Sequence, residues 1–195
     1  MDKNDKNSKP AETWDARYAR GGYSSAAPHE LLISLVEKLP AGTALDLACG
    51  AGRHAIFLAE NKWRVTAVDN SKAGIEIAGR RAREKNLEID FRVADLEKNE
   101  FRIEENAYDL IGDFYYLQRG LFAPMKKGVR PGGIIVSTIH IYGAGENAGR
   151  FLLREGELRG FFNDFEILHY RETPQTATQA GAPHRRRAEI IARKS

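Results

Sequence analysis

Apolar and polar residues recur along the chain with two alternating periods, and each change of period marks an element. Residues 28–39 place Leu31, Leu32, Leu35, Val36 and Leu39 on one helical face, with Pro28 near the helix start. A short apolar strand over residues 43–48 follows and ends in the glycine-bearing turn Cys49-Gly50-Ala51-Gly52-Arg53. Residues 54–61 read as a helix burying Ile56, Phe57 and Ala59, and residues 63–69 as a second strand ending at Asp69. Ser71 is suited to cap the next helix, which runs to about Asn86, and a third strand over residues 89–95 ends at Asp95. The alternation continues with a strand at 108–114, a helix at 121–129 and a tight turn at Arg130-Pro131-Gly132-Gly133. Residues 133–141 form a fifth strand, apolar on both faces as a central strand should be. A loop over 142–150 and a short helix over 155–162 lead to two final strands, 165–172 and 185–193. No helical pattern separates those two, so they are expected to pair as an antiparallel hairpin. The order predicts an α/β fold, doubly wound around a mostly parallel seven-stranded sheet.

Composition narrows the class. The 195 residues are 42% hydrophobic and 29% charged, enough to bury the core of one compact unit. Residues 1–10 are almost wholly polar and are expected to be a disordered tail; residues 11–40 would be an N-terminal lid and helix, and 41–195 the main domain. No apolar run approaches membrane-spanning length, and the polar N-terminus does not read as a secretory signal. With Cys49 as the lone cysteine, an internal disulfide is impossible and a reducing, cytoplasmic setting is expected. A net charge of +3 is too small to argue for nucleic acid as a partner. Five histidines and one cysteine show no metal-ligand spacing, so no metal is expected.

In doubly wound sheets, ligands bind beyond the carboxyl ends of the strands where the winding reverses. Three strands here end there in an acid or a glycine turn. Gly50 and Gly52 allow the backbone to turn tightly and approach a ligand where a Cβ would collide. The helix that follows presents free N–H groups. Asp69, nineteen residues after Gly50, can accept hydrogen bonds from two ribose hydroxyls, and Asp95 is placed to meet an adenine amino group. Residues 50–55 also fit the dinucleotide pattern when alanine is allowed last, so the turn alone does not choose between nucleotide cofactors. Asp46, inside the first strand, and the closing hairpin both depart from the usual dinucleotide fold.

The segment LDLACGAGRHAIFLAENKWRVTAVDNS resembles the glycine-loop and acidic-strand pair of class I S-adenosylmethionine-dependent methyltransferases. Together with WDARY at 14–18, Tyr23, Pro28, REGELRGFF and the closing AEIIARK, it is similar to the tellurite-resistance type of small bacterial methyltransferase. That resemblance, over residues 12–195, implies a Rossmann-like methyltransferase fold and S-adenosyl-L-methionine as cofactor. It implies that Asp46, Ala48, Gly50 and Gly52 line the methionine end, with Asp69 and Asn70 at the ribose. Asp95 and Leu96 would then meet the adenine, and Asp113 and Phe114 would flank the sulfonium. Arg53-His54 stands where that subgroup often has Arg-Asn.

Other candidates have both functional and plain readings. Trp14, Arg17, Tyr18, Arg20 and Tyr23 are suited either to an aromatic and cationic lid over the cofactor or to packing on the sheet edge. Residues 112–116 resemble the D-P-P-Y element of enzymes that methylate nucleobase amino groups but lack both prolines, so that chemistry is not expected. In the last strand, alternation puts His184 and Arg186 on one face and Arg185 and Arg187 on the other. One pair would point into the site and hold an anionic acceptor; His184 and Arg186 are the pair singled out, with Asp113 as the further catalytic candidate. His140 is a third possible base, and Cys49 reads as a packing residue. The expected activity is methyl transfer to a small-molecule acceptor such as a thiol, a chalcogen oxyanion or another small anion. A nicotinamide-dependent oxidoreductase is the first rival, although no tyrosine is followed by lysine four positions later. An RNA-directed methyltransferase or binding module, using the basic C-terminal stretch, ranks lower.

Overall fold

The computed structural model describes residues 13–21, 27–142, 151–173 and 186–195. The expected tail at 1–10, Tyr23, the body of the 142–150 loop, and His184 and Arg185 lie outside them. Two short helices open the described chain: α1 (Trp14–Ala19) and α2 (Glu30–Val36). An alternating series follows: β1 (Thr43–Leu47), α3 (Arg53–Glu60), β2 (Arg64–Asp69), α4 (Lys72–Glu84), β3 (Asp90–Val93) and β4 (Tyr108–Phe114). The rest comprises α5 (Phe122–Gly128), β5 (Val129–His140), α6 (Glu157–Gly160), β6 (Glu166–Glu172) and β7 (Arg187–Arg193).

The sheet order is β3-β2-β1-β4-β5-β7-β6. β1 to β5 pair in parallel, and β7 enters antiparallel between β5 and β6. The doubly wound sheet with a reversed hairpin at its end is therefore as expected. The order changes direction between β1 and β4, which opens the crevice where ligands bind in such sheets.

Apolar side chains from successive residues go to opposite faces. Leu45, Leu47, Ile111 and Ile135 join the cluster under α5 and α6. Ala44, Leu110, Ile134 and Val136 join the one under α2 and α3. Ser71 caps α4 as expected, its Oγ accepting from the Gly74 N–H at 3.0 Å. Three details differ. Residues 130–133 lie within β5, where an irregular register against β4 and Gly132 at φ +77° absorb the extra residues. Only a 3-10 turn, Leu96–Lys98, stands between β3 and β4 before the chain re-enters the sheet. In α3 the buried ring is His54, at 4% exposure, while Phe57 is half-buried.

Candidate active site

The turn after β1 carries three residues in the left-handed region: Ala48 at φ 51°, Gly50 at 55° and Gly52 at 78°. A Cβ on Gly50 would lie 2.0 Å from the Tyr18 hydroxyl, and one on Gly52 would lie 2.7 Å from the Ala78 Cβ of α4. Glycine is required at 50 and 52 by conformation and by space alike.

Asp69 ties the turn to the next helix. Its Oδ2 accepts from the Gly50 N–H at 2.7 Å and its Oδ1 from the Ser71 N–H at 2.8 Å. Burial pushes its pKa up against these hydrogen bonds. Asp46 is 1% exposed and accepts from the Ala55 N–H of α3 at 3.0 Å. Burial pushes its carboxyl up to about 7. Asp113, also 1% exposed, has its Oδ1 without a hydrogen-bond partner among the described residues. Burial, with the charge of Asp46 across the β1–β4 pair, holds it well above the usual carboxylate range. Two buried carboxylates thus flank the crevice; among the described residues neither forms an ion pair, and Arg53 at the start of α3 acts on Asp46 only at longer range.

α1 lies against this turn. Asp15 Oδ1 accepts from Ser71 Oγ at 2.8 Å and from the Ala73 N–H at 2.9 Å, fastening α1 to the start of α4. Tyr18 follows onto Gly50, and burial pushes its phenol up to about 12. Trp14 is turned outward instead: the residue is 49% exposed, with the Arg17 guanidinium 4.8 Å from the ring centre. The side chain over the glycine turn is therefore Tyr18, not Trp14. Asn70 is exposed and Leu96 buried. Asp95 is engaged locally, accepting from the Glu97 N–H at 2.9 Å and pairing with Lys98 at 3.0 Å. Lys98 keeps its carboxyl below the usual range.

Beyond β4 the chain does something its sequence does not announce. Tyr115 adopts φ +66°, a strained conformation for an aromatic residue. Continued alternation would send its ring to the face of Ile111 and Asp113, yet it packs on the opposite face with Phe114. There it meets His140 at 5.0 Å and His29 at 5.9 Å between ring centres. Phe114 packs against His54, their rings tilted at 34° with centres 4.0 Å apart. Arg53 leans from the first turn of α3 over the Tyr115 ring, 5.5 Å from its centre.

The last strand reverses the expected assignment of faces. Arg186 turns to Glu155 at 3.4 Å and Glu172 at 3.9 Å, on the face away from Tyr115. Arg187 is the cation on the Tyr115 side, with its Nε 2.6 Å from Glu189 Oε1. Alternation separated the two arginines correctly, but strand phase relative to the sheet decides which face each takes. Glu189 and His29 had no sequence signal. Glu189 is 6% exposed between Arg187, His29 at 3.7 Å and His169 at 3.9 Å. His29 caps α2, its Nδ1 accepting from the Leu31 N–H at 3.2 Å. Among the described residues no group of His, Cys, Asp and Glu is arranged to hold a metal.

The strand order with β7 reversed, the glycine turn after β1 and the acid ending β2 together make the fold of class I S-adenosylmethionine-dependent methyltransferases. The chain belongs to the family of the tellurite resistance protein TehB, whose model matches residues 13–186. It is 30% identical over 168 residues to Hemagglutinin 1 of Eikenella corrodens, covering 80% of this chain and 55% of that protein. To the probable S-adenosyl-L-methionine-dependent methyltransferase TehB of Haemophilus influenzae it is 28% identical over 160 residues, 77% of this chain and 55% of the other. The crystal structure of the Haemophilus influenzae TehB superposes with a TM-score of 0.77 at 24% identity, covering 93% of this chain and 67% of that one. The chain spans about half the length of the curated relatives it matches.

Proposed function

We propose that the chain is a methyltransferase that binds S-adenosyl-L-methionine at the β1–β4 crevice and methylates a small anionic acceptor. One observation carries the choice of cofactor: the buried carboxylates Asp46 and Asp113 flank a turn in which Gly50 and Gly52 leave no room for a Cβ. Buried, unpaired carboxylates favour a cationic ligand and disfavour an anionic one. S-adenosylmethionine carries an ammonium and a sulfonium, whereas a nicotinamide dinucleotide would bring a pyrophosphate against Asp46, Asp69 and Asp113. The residues fit the first and oppose the second.

In this reading Asp46, Ala48, Gly50 and Gly52 hold the methionine end, and Asp69 with Asn70 the ribose. Asp95 and Leu96 would border the adenine, with Asp113 and Phe114 beside the sulfonium. When bound, the cofactor supplies an electrophilic methyl group. The chain's own task is to hold the acceptor in line and dry, which is worth roughly 7–11 kcal/mol. Tyr18 and Phe114 exclude water from the crevice. A thiolate or a chalcogen oxyanion needs no strong base; an oxygen or nitrogen acceptor would call on Asp113 or His140. The cationic side chains Arg53 and Arg187 support an acceptor that is small and anionic.

Isothermal titration with S-adenosylmethionine, its demethylated product and NAD tests the cofactor reading. The two adenosyl ligands should bind at micromolar to tens-of-micromolar strength and NAD should not. Removing the charged acceptor with Asp69→Ala should weaken adenosyl binding by about 1.5–3 kcal/mol, or roughly ten- to a hundredfold. Tight NAD binding, or an Asp69→Ala variant with unchanged affinity, would contradict the assignment.

A further inference from the structure

We propose that Tyr115, Arg53 and Arg187 form the acceptor subsite, and that Glu189 is the specificity-determining residue that tunes it to singly charged acceptors. The inference rests on the methyltransferase reading above and goes further by assigning the acceptor's charge.

Four observations carry it. First, Tyr115 spends backbone strain to leave the Asp113 face and lie between His29 and His140. Tyr115 is half-buried, and its hydroxyl has no hydrogen-bond partner among the described residues. Secondly, Arg53 joins this place to the cofactor turn: it follows Gly52 directly, lies over the Tyr115 ring, and acts electrostatically on both Tyr18 and Tyr115.

Thirdly, Arg187 on the same face of β7 acts electrostatically on the same phenol, and among the described residues its guanidinium is held by Glu189 through Nε. The outer N–H groups of a guanidinium fork remain for a second anion. The side chain of Arg187 is 42% exposed and that of Glu189 only 8%, so the carboxylate lies beneath the cation and not between it and an incoming ligand.

Finally, the charges can be counted from every element that faces the cluster. Arg53 and Arg187 are cations and Glu189 is an anion; exposed Glu30 stands at the solvent side. His29 is neutral near pH 7 because burial lowers its pKa. With Nδ1 accepting the Leu31 N–H, its proton lies on Nε2, toward Glu189. His54 is kept neutral by burial, and His140 and His169 border the cluster. With exposed Glu30 set aside, and with Asp46, on which Arg53 also acts, assigned to the cofactor's cation, one positive charge is left over at the cluster. A second negative charge on the acceptor would meet Glu189 uncompensated.

The test uses the full chain saturated with the demethylated cofactor, whose own binding is titrated first. At neutral pH 3-mercaptopropionate carries one negative charge and mercaptosuccinate two. Calorimetry should show 3-mercaptopropionate binding at least tenfold tighter. Glu189→Gln should erase or reverse that ratio, and Tyr115→Phe should weaken 3-mercaptopropionate five- to tenfold with cofactor affinity unchanged. Arg80→Gln, on the exposed face of α4, is the control and should change nothing. Equal binding of the two thiols by the wild type, or unchanged ratios and affinities in both variants, would overturn the proposal. If Glu189→Gln does not fold, Tyr115→Phe alone decides. Should the demethylated cofactor fail to bind, the methyltransferase reading falls, and the same thiol titrations on the unliganded protein still test the subsite.

Discussion

Burial pushes the Asp46 carboxyl up to about 7, so it is close to half-ionised at neutral pH. A cation bound beside it would favour the carboxylate and release a proton. Cofactor affinity should therefore weaken as pH falls below about 7 and level off above it. Titrations at pH 6 in two buffers of different ionisation enthalpy should reveal the released proton, and Asp46→Asn should abolish it. The stability of the unliganded protein runs the opposite way with pH. The folded pKa lies above the ordinary 3.8, so the contribution is full below that value and is lost as pH rises through about 7. The difference in melting temperature between wild type and Asp46→Asn should shift in favour of the variant between pH 5 and 8. A flat difference would mean that Asp46 is not the titrating group. At this scale the acids were legible because strand ends and spacing expose them. Tyr115 was not, because its positive φ breaks the alternation on which such a reading depends. Nor was Glu189, whose partners come from β6 and the cap of α2, far away in sequence.

Among the elements, α1 depends most on its neighbours. It has six residues, none of them buried, and a helix that short does not persist alone in water. Asp15 holds it through Ser71 and Ala73 at the start of α4, and Tyr18 lies over Gly50. Asp15→Ala should therefore abolish hydrogen-exchange protection over residues 14–19 while the body of α4 stays protected. Cofactor should raise protection over the same residues in the wild type; equal protection with and without it would make α1 a packing element and not a lid. The turn beneath it has less freedom. Gly52→Ala would need φ +78° and would drive its Cβ into Ala78, so denaturant unfolding should show a loss of at least about 1–2 kcal/mol. The aromatic spacing of residues 14–18 pointed to a cover over the turn, but a helix this short has no core face to fix its rotation. That is why both Trp14 and Tyr18 were expected over the turn, where only Tyr18 lies.

At the scale of the molecule, periodicity was enough for the sheet. Helices in three of the four connections among the first five strands and none before the last fixed which strands run parallel and which strand reverses, even though only a 3-10 turn joins β3 to β4. What periodicity does not encode is the rotation of β7 relative to β5, and with it the choice between Arg186 and Arg187. The site joins β1, β2 and β4 with α1, α3 and α4, so a ligand bound there reports on the fold as a unit. At a hundred times its dissociation constant such a ligand adds about 2.7 kcal/mol to the folded state. In a chain of this size each kcal/mol moves the melting temperature by about 2–4 °C. The demethylated cofactor should therefore raise it by about 5–11 °C. NAD at equal concentration should leave it unchanged, because its pyrophosphate would enter a crevice where the carboxylates Asp46, Asp69 and Asp113 outnumber the one nearby cation among the described residues, Arg53. Asp69→Ala should reduce the adenosyl shift, since that carboxylate holds both the turn and the start of α4. A shift with NAD equal to that with the adenosyl ligand would return the oxidoreductase reading to first place.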